Sequence, residues 1–177
     1  MKFMNEDSPA LRQWFTRGGP DLLRRLDLCP DQPVVDFGCG VGSLAIPLSV
    51  VVAGAEVFAI DTSRDNLRVL RRRADWYGPF PTLRILPSDG RVRLSELVNA
   101  RCQAVFLFDV LQHVDDWDTL FEHCRRVLKP GGMLHVNPSI LSHPDRVDNE
   151  AMERVLEDRG FLPCRRLATE LMHYKHL

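Results

Sequence analysis

The sequence predicts an α/β fold: a doubly wound sheet, mostly parallel, with helices on both faces. Three observations predict it. Short apolar runs alternate with amphipathic helical segments along most of the 177 residues. The runs are apolar on both faces, which suits strands buried between two helix layers. A glycine-rich turn, Gly38-Cys39-Gly40-Val41-Gly42, follows the first run and opens a helix, the place where such sheets receive ligands.

Taken in order, residues 1–28 hold one helix, Pro20–Leu28, and little else, so any N-terminal lid is small. Val34–Phe37 is the first strand. Pro47 falls early in the next helix and should bend its axis or loosen one turn. Glu56–Ile60 is the second strand, and Arg64–Trp76 the clearest helix. Leu67, Leu70 and Ala74 share one face of it, while the run Arg71-Arg72-Arg73 reads as a solvated face. Leu83–Leu86 is the third strand, Leu97 and Val98 belong to a shorter helix, and Ala104–Phe108 is the fourth strand. Trp117–Leu128 carries a stripe of Leu120, Phe121, Cys124, Val127 and Leu128, and Lys129-Pro130-Gly131-Gly132 stops that helix and turns the chain. Met133–Val136 is the fifth strand, and Pro138–Asp148 is irregular. A helix over Asn149–Arg159, capped by Asp148, ends at Gly160. Phe161–Leu177 reads as two short strands with a bend near Ala168-Thr169. The β–α alternation is what selects the doubly wound class.

The length suits a single domain spanning residues 1–177. Net charge is −1 with neutral histidines, so no global field attracts nucleic acid or an anionic membrane. The longest apolar stretch, Leu44 to Ala55, is broken by Pro47, Ser49 and Gly54 and falls short of a membrane span. Five cysteines form no C-x-x-C pair and leave one over, a pattern that fits reduced thiols in a cytoplasm. The N-terminus has no apolar core of a signal peptide.

The glycine spacing selects among ligands. A dinucleotide site wants G-x-G-x-x-G, yet position 43 is Ser, and the third glycine comes one residue earlier, at 42. An acid, Asp36, precedes the loop. A carboxylate there would repel a pyrophosphate but suits a ligand carrying an ammonium group.

These residues resemble the class I S-adenosylmethionine-dependent methyltransferases, of the small prokaryotic type, and the resemblance runs over nearly the whole chain. It is carried by Asp36 to Gly42, Ala59-Ile60-Asp61, Pro87-Ser88-Asp89-Gly90, Phe108-Asp109-Val110-Leu111-Gln112-His113-Val114, Arg126 to Gly132, and Leu171 to Lys175. It implies a Rossmann-like sheet of seven strands with an antiparallel C-terminal strand, and S-adenosyl-L-methionine as cofactor. Within the resemblance, Gly38, Gly40 and Gly42 line the methionine portion with Asp36 nearby. Asp61 and Thr62 hold the ribose, Asp89 and Gly90 border the adenine, and Phe108 offers its carbonyl to the adenine amino group.

Plainer readings stand beside these. Asp61 could cap the following helix, and Asp89-Gly90 could be only a turn. His113 is a candidate general base, but it could simply pack or cap the next helix. Asp109 is the other candidate and could merely orient substrate or cofactor. Cys39 reads as a small filler residue. Trp14 and Phe15 could close over the cofactor or staple the N-terminus to the body.

Acceptor chemistry is bounded by what is missing. The fourth strand ends in Phe-Asp-Val-Leu, without the Pro-Pro motif used on exocyclic base amines or the Pro-Cys used on cytosine. Together with the near-neutral charge this disfavours nucleic acid and favours a small-molecule methyl acceptor. The loop Pro138–Asp148, with His143 and Arg146, is expected to help form the acceptor site. Alternatively a homodimer partner closes the pocket. Three rivals remain: a non-catalytic scaffold, a methyltransferase acting on a macromolecule, and a nicotinamide oxidoreductase.

Overall fold

The structure, a computed structural model, describes residues 7–88, 101–137, 149–168 and 171–176. The chain divides into two compact units, Met1–Pro87 and Ser88–Leu177.

The first unit begins helically: α1 (Pro9–Gln13), a π-helical turn (Trp14–Gly18), α2 (Gly19–Leu23) and a 3-10 turn (Arg24–Leu26). Ser8 caps α1 by accepting from the Leu11 N–H at 3.2 Å. Pro9 takes the first helical position, where a missing N–H costs nothing. The expected helix Pro20–Leu28 is therefore corrected: the helical stretch starts at Pro9 and ends at Leu26. The chain winds on through Gly18-Gly19-Pro20 without a break. Gly19 is there for close approach, since a Cβ on it would lie 2.6 Å from Pro47 Cγ.

Next come β1 (Val34–Phe37), α3 (Ala45–Val51), β2 (Val57–Asp61), α4 (Arg64–Tyr77) and β3 (Leu83–Pro87). The three strands pair in parallel with β2 central, Val34 opposite Val57 and Val57 opposite Leu83. Val34, Val35, Val57, Ala59, Leu48, Leu67 and Leu70 form the buried core. Pro47 lies in the first turn of α3 and lacks the N–H that would bond the Ser43 carbonyl four residues back. That carbonyl accepts instead from the Trp14 indole N–H at 2.6 Å.

The second unit holds β4 (Cys102–Phe108), a 3-10 turn (Leu111–His113), α5 (Trp117–Val127), β5 (Leu128–Asn137), α6 (Asn149–Asp158), β6 (Phe161–Ala168) and β7 (Leu171–His176). β4 and β5 are parallel, and β7 is antiparallel both to β5 and to β6. The fifth strand differs from expectation. It begins at Leu128, and Lys129–Gly132 turns the chain inside the strand as a bulge between the Cys102–Leu128 and Ala104–Met133 pairs. Gly131 has φ of 76°, and a Cβ on Gly132 would come within 2.9 Å of the Lys129 carbonyl oxygen. Asp116 caps α5 by accepting from the Thr119 N–H at 2.9 Å. Gly160, at φ of 79°, ends α6. Arg159 at that end pairs with Asp118 and Glu122 of α5. Phe106, Leu107, Phe121, Leu134, Met152 and Phe161 make the core of this unit. The expected helix at Leu97-Val98, the Asp148 cap and the Pro138–Asp148 loop with His143 and Arg146 lie outside the described residues.

Candidate functional site

In the first unit β1 delivers Asp36 to the start of the glycine loop. Gly38, Gly40 and Gly42 have φ of 75°, 52° and 88°, left-handed conformations that glycine adopts without a Cβ clash. The N–H groups of Gly38 and Cys39 both donate to the Ile60 carbonyl, at 2.8 and 3.0 Å, which pins the loop to the end of β2. Asp61 completes the tie. Its Oδ2 accepts from the Gly40 N–H at 2.8 Å and its Oδ1 from the Ser63 N–H at 2.7 Å. The cap of α4 is Ser63, which accepts from the Asn66 N–H at 3.2 Å. Capping is thus not the work of Asp61. Thr62, beside it, is exposed.

The glycines are not equivalent. A Cβ on Gly42 would lie 2.3 Å from Leu70 Cδ1, so this residue is small to let α4 pack against the loop. Among the described residues, a Cβ on Gly40 would meet no atom within 4 Å. Open space lies beside Gly40.

Asp36 is 2% exposed. Burial pushes its carboxyl up to about 7; a hydrogen bond from the Ala45 N–H pulls it down and the Asp61 charge raises it. Its Oδ2 is buried and has no hydrogen-bond partner among the described residues. Burial also pushes the Cys39 thiol up, followed by the charges of Asp36 and Asp61. A thiol held protonated in this way is a filler and not a nucleophile.

Trp14 and Phe15 staple the N-terminal segment to the body. Trp14 does so through Ser43, and Phe15 is 1% exposed with its ring 4.8 Å from that of Tyr77. The arginine run needs correction at one position. Arg73 faces inward and pairs with Asp7 at 2.6 Å. No local pattern marks it, because its partner sits 66 residues away in the chain.

In the second unit the end of β4 carries the other candidates. Phe108 is half-buried, its ring edge-on to Phe106 at 5.6 Å. Asp109 is exposed with φ of 56°, and the Gln112 amide donates to its carbonyl at 3.0 Å and to its Oδ1 at 3.1 Å. His113 is exposed at the end of the 3-10 turn. It is not the cap of α5, a place taken by Asp116. The structure therefore gathers Asp36, Gly38, Gly40, Gly42, Asp61 and Thr62 at the ends of β1 and β2. It sets Phe108, Asp109 and His113 at the end of β4. Asp89 and Gly90 lie outside the described residues. Among the described residues no cluster of His, Cys, Asp and Glu could hold a metal, and no helix is long and apolar enough to cross a membrane.

Comparison with known proteins identifies the family and the fold. The sequence profile of the family described as "Methyltransferase domain" matches residues 35–136, from β1 to β5. The N-demethylindolmycin N-methyltransferase of Streptomyces griseus is 32% identical over 146 residues, covering 78% of this chain and 58% of that protein. The ubiquinone biosynthesis O-methyltransferase of Methylocella silvestris is 36% identical over 104 residues, 57% of this chain and 37% of the relative. The chain thus spans roughly two to three fifths of the length of these relatives. The crystal structure of a SAM-dependent methyltransferase from Aquifex aeolicus superposes with a TM-score of 0.74 at 19% identity, covering 97% of this chain and 94% of that one. At that identity the likeness shows the fold, a mostly parallel, Rossmann-like α/β arrangement. With the profile covering more than half its length, the chain belongs to the methyltransferase-domain family.

Proposed function

We propose that this chain binds S-adenosyl-L-methionine at the glycine loop and transfers its methyl group to a small-molecule acceptor. The observation that carries the reading is Gly40. Its N–H is held by Asp61, its backbone is left-handed, and the space a side chain would fill is open. Four residues before it stands a buried acid, Asp36, whose Oδ2 has no hydrogen-bond partner among the described residues. A buried acceptor of that kind suits an ammonium group. Both features fit the amino-acid end of this cofactor, and the buried acid does not suit a pyrophosphate.

When bound, the cofactor supplies a methyl group on a positively charged sulfur, intrinsically reactive toward nucleophiles. The protein's share of the work is to bind, orient and exclude water. Asp36, Gly38, Gly40 and Gly42 would hold the methionine portion, and Asp61 with Thr62 the ribose. Asp89, Gly90 and Phe108 would border the adenine. Asp109 and His113 are the candidates for the acceptor side. A general base is required only where the acceptor must shed a proton.

The reading as one domain with a single seven-stranded sheet, antiparallel at its C-terminal strand, belongs to the same proposal. It is supported by a fold likeness covering 97% of the chain. A small acceptor is supported by the names of the relatives, which refer to demethylindolmycin and to ubiquinone biosynthesis. A reducing, cytoplasmic setting is supported by five cysteines, none of them in a disulfide. Calorimetric titration with S-adenosylmethionine, S-adenosylhomocysteine and NAD tests the core of the proposal. Binding of both adenosyl ligands and not of NAD is expected. Failure of both adenosyl ligands would leave a scaffold, and a preference for NAD would make the protein an oxidoreductase.

A further inference from the structure

Arg73 stands at the meeting point of three parts of the first unit. Its Nη2 and Nε reach Asp7 Oδ1 at 2.6 and 3.2 Å, and its Nη1 donates to the Val41 carbonyl at 3.0 Å. Both side chains of the ion pair are nearly buried, at 12% and 8% exposure. The Tyr77 hydroxyl donates to the other oxygen of Asp7 at 3.1 Å, and the guanidinium lies over the Phe15 ring at 5.3 Å. One planar, multi-donor group thus joins the N-terminal segment, α4 and the glycine loop, which a single-point ammonium would do less well. Two residues along the loop, the Ser43 carbonyl accepts from Trp14 of the same segment. Two carbonyls of the ligand loop, at 41 and 43, are therefore held by side chains whose positions depend on docking of residues 7–23.

We propose that Arg73 is a positioning residue for the cofactor loop: by bridging Asp7 to the Val41 carbonyl it couples docking of the N-terminal segment to the loop conformation that grips the ligand. The coupling to ligand rests on the cofactor reading above; the coupling of segment to loop does not. Linkage is reciprocal, so ligand at the loop tightens the segment as much as the segment tightens the ligand.

The test uses the full chain as wild type, Arg73→Met, Arg73→Lys and the milder Asp7→Asn. Each is followed by calorimetric titration with S-adenosylhomocysteine and by amide hydrogen exchange with and without it, at a temperature where circular dichroism shows each folded. Arg73→Met is expected to lose affinity on the order of tenfold or more, Arg73→Lys to recover part of it, and Asp7→Asn to fall between. Without ligand, the Gly42 and Ile46 amides should exchange faster in Arg73→Met. With ligand, exchange over residues 9–23 should slow in wild type and far less in that variant. A role in global stability alone would lower the melting temperature and leave affinity and the exchange pattern as in wild type, overturning the proposal. If wild type fails to bind the adenosyl ligand, the cofactor reading falls; loop exchange unchanged by Arg73→Met or Asp7→Asn would then overturn the coupling independently.

Discussion

Gly40 and Gly42 look alike as letters and differ as environments. At Gly42, φ of 88° and a Cβ position 2.3 Å from Leu70 Cδ1 combine backbone strain with overpacking. Gly42→Ala is expected to cost roughly 2–3 kcal/mol in urea unfolding. Gly40→Ala meets no atom of the described residues and should cost only about 1 kcal/mol of backbone strain. If the cofactor lies against that open face, the same variant loses affinity far out of proportion to its stability. Normal binding by Gly40→Ala would remove the ligand from that place. Asp36 supplies a pH signature. Its carboxyl is raised to about 7 in the fold against an ordinary value of 3.8, so between these values the folded state keeps a proton that the unfolded state gives up. The stability this confers is complete below about 3.8 and is lost as pH rises toward 7, by up to about 4 kcal/mol. Asp36→Asn should flatten that slope in unfolding measured from pH 4 to 8; an unchanged slope would mean that Asp36 is not the titrating group. The G-x-G-x-G pattern and its acid were legible from the sequence. Which glycine faces Leu70 was not, because Leu70 arrives from another element.

Elements in this protein are held by what they lack as well as by what they contain. Pro47 withholds an N–H from the Ser43 carbonyl, and Trp14 takes its place. Trp14→Phe should cost roughly 1 kcal/mol through that lost bond. The loss should shrink in a Pro47→Ala background, where the restored backbone N–H can serve the same carbonyl; equal losses in both backgrounds would break the pairing. Ser63→Ala should destabilise α4 by about 1 kcal/mol, read as a lower urea midpoint, since Ser63 is the cap. β1, α4, the body of α5 and the end of α6 at Gly160 were legible because periodicity and cap residues are local signals. The helical stretch ahead of Pro20 left no periodic signal, because its α and π pieces are five residues each. Gly19 within that stretch makes room for Pro47, a contact that no local pattern marks. The early start of β5 was missed for a similar reason: Lys129–Gly132 does turn, but within a strand already paired at Leu128.

At the scale of the whole molecule, a ligand that binds only the folded chain must raise its stability. S-adenosylhomocysteine at a hundredfold excess over its dissociation constant should add about 2.7 kcal/mol. For a chain of this size that is a rise in melting temperature of roughly 5–10 °C. NAD should leave the melting temperature where it is, and no shift with either adenosyl ligand would sink the cofactor reading. The mostly parallel, Rossmann-like α/β class and the place of the glycine loop were determined by the sequence alone. Burial on two faces, strand length and the need for left-handed backbone at 38, 40 and 42 are properties of short stretches of chain. Tertiary structure alone decided that Asp36 is buried with an orphaned oxygen and that Asp61 ties the loop instead of capping α4. It also decided that Arg73 turns inward to Asp7 and Val41 instead of standing in water with its neighbours. Each of these depends on atoms brought in from elsewhere in the sequence, and desolvation and charge pairing are set by such neighbours and not by the residue's own place in the chain.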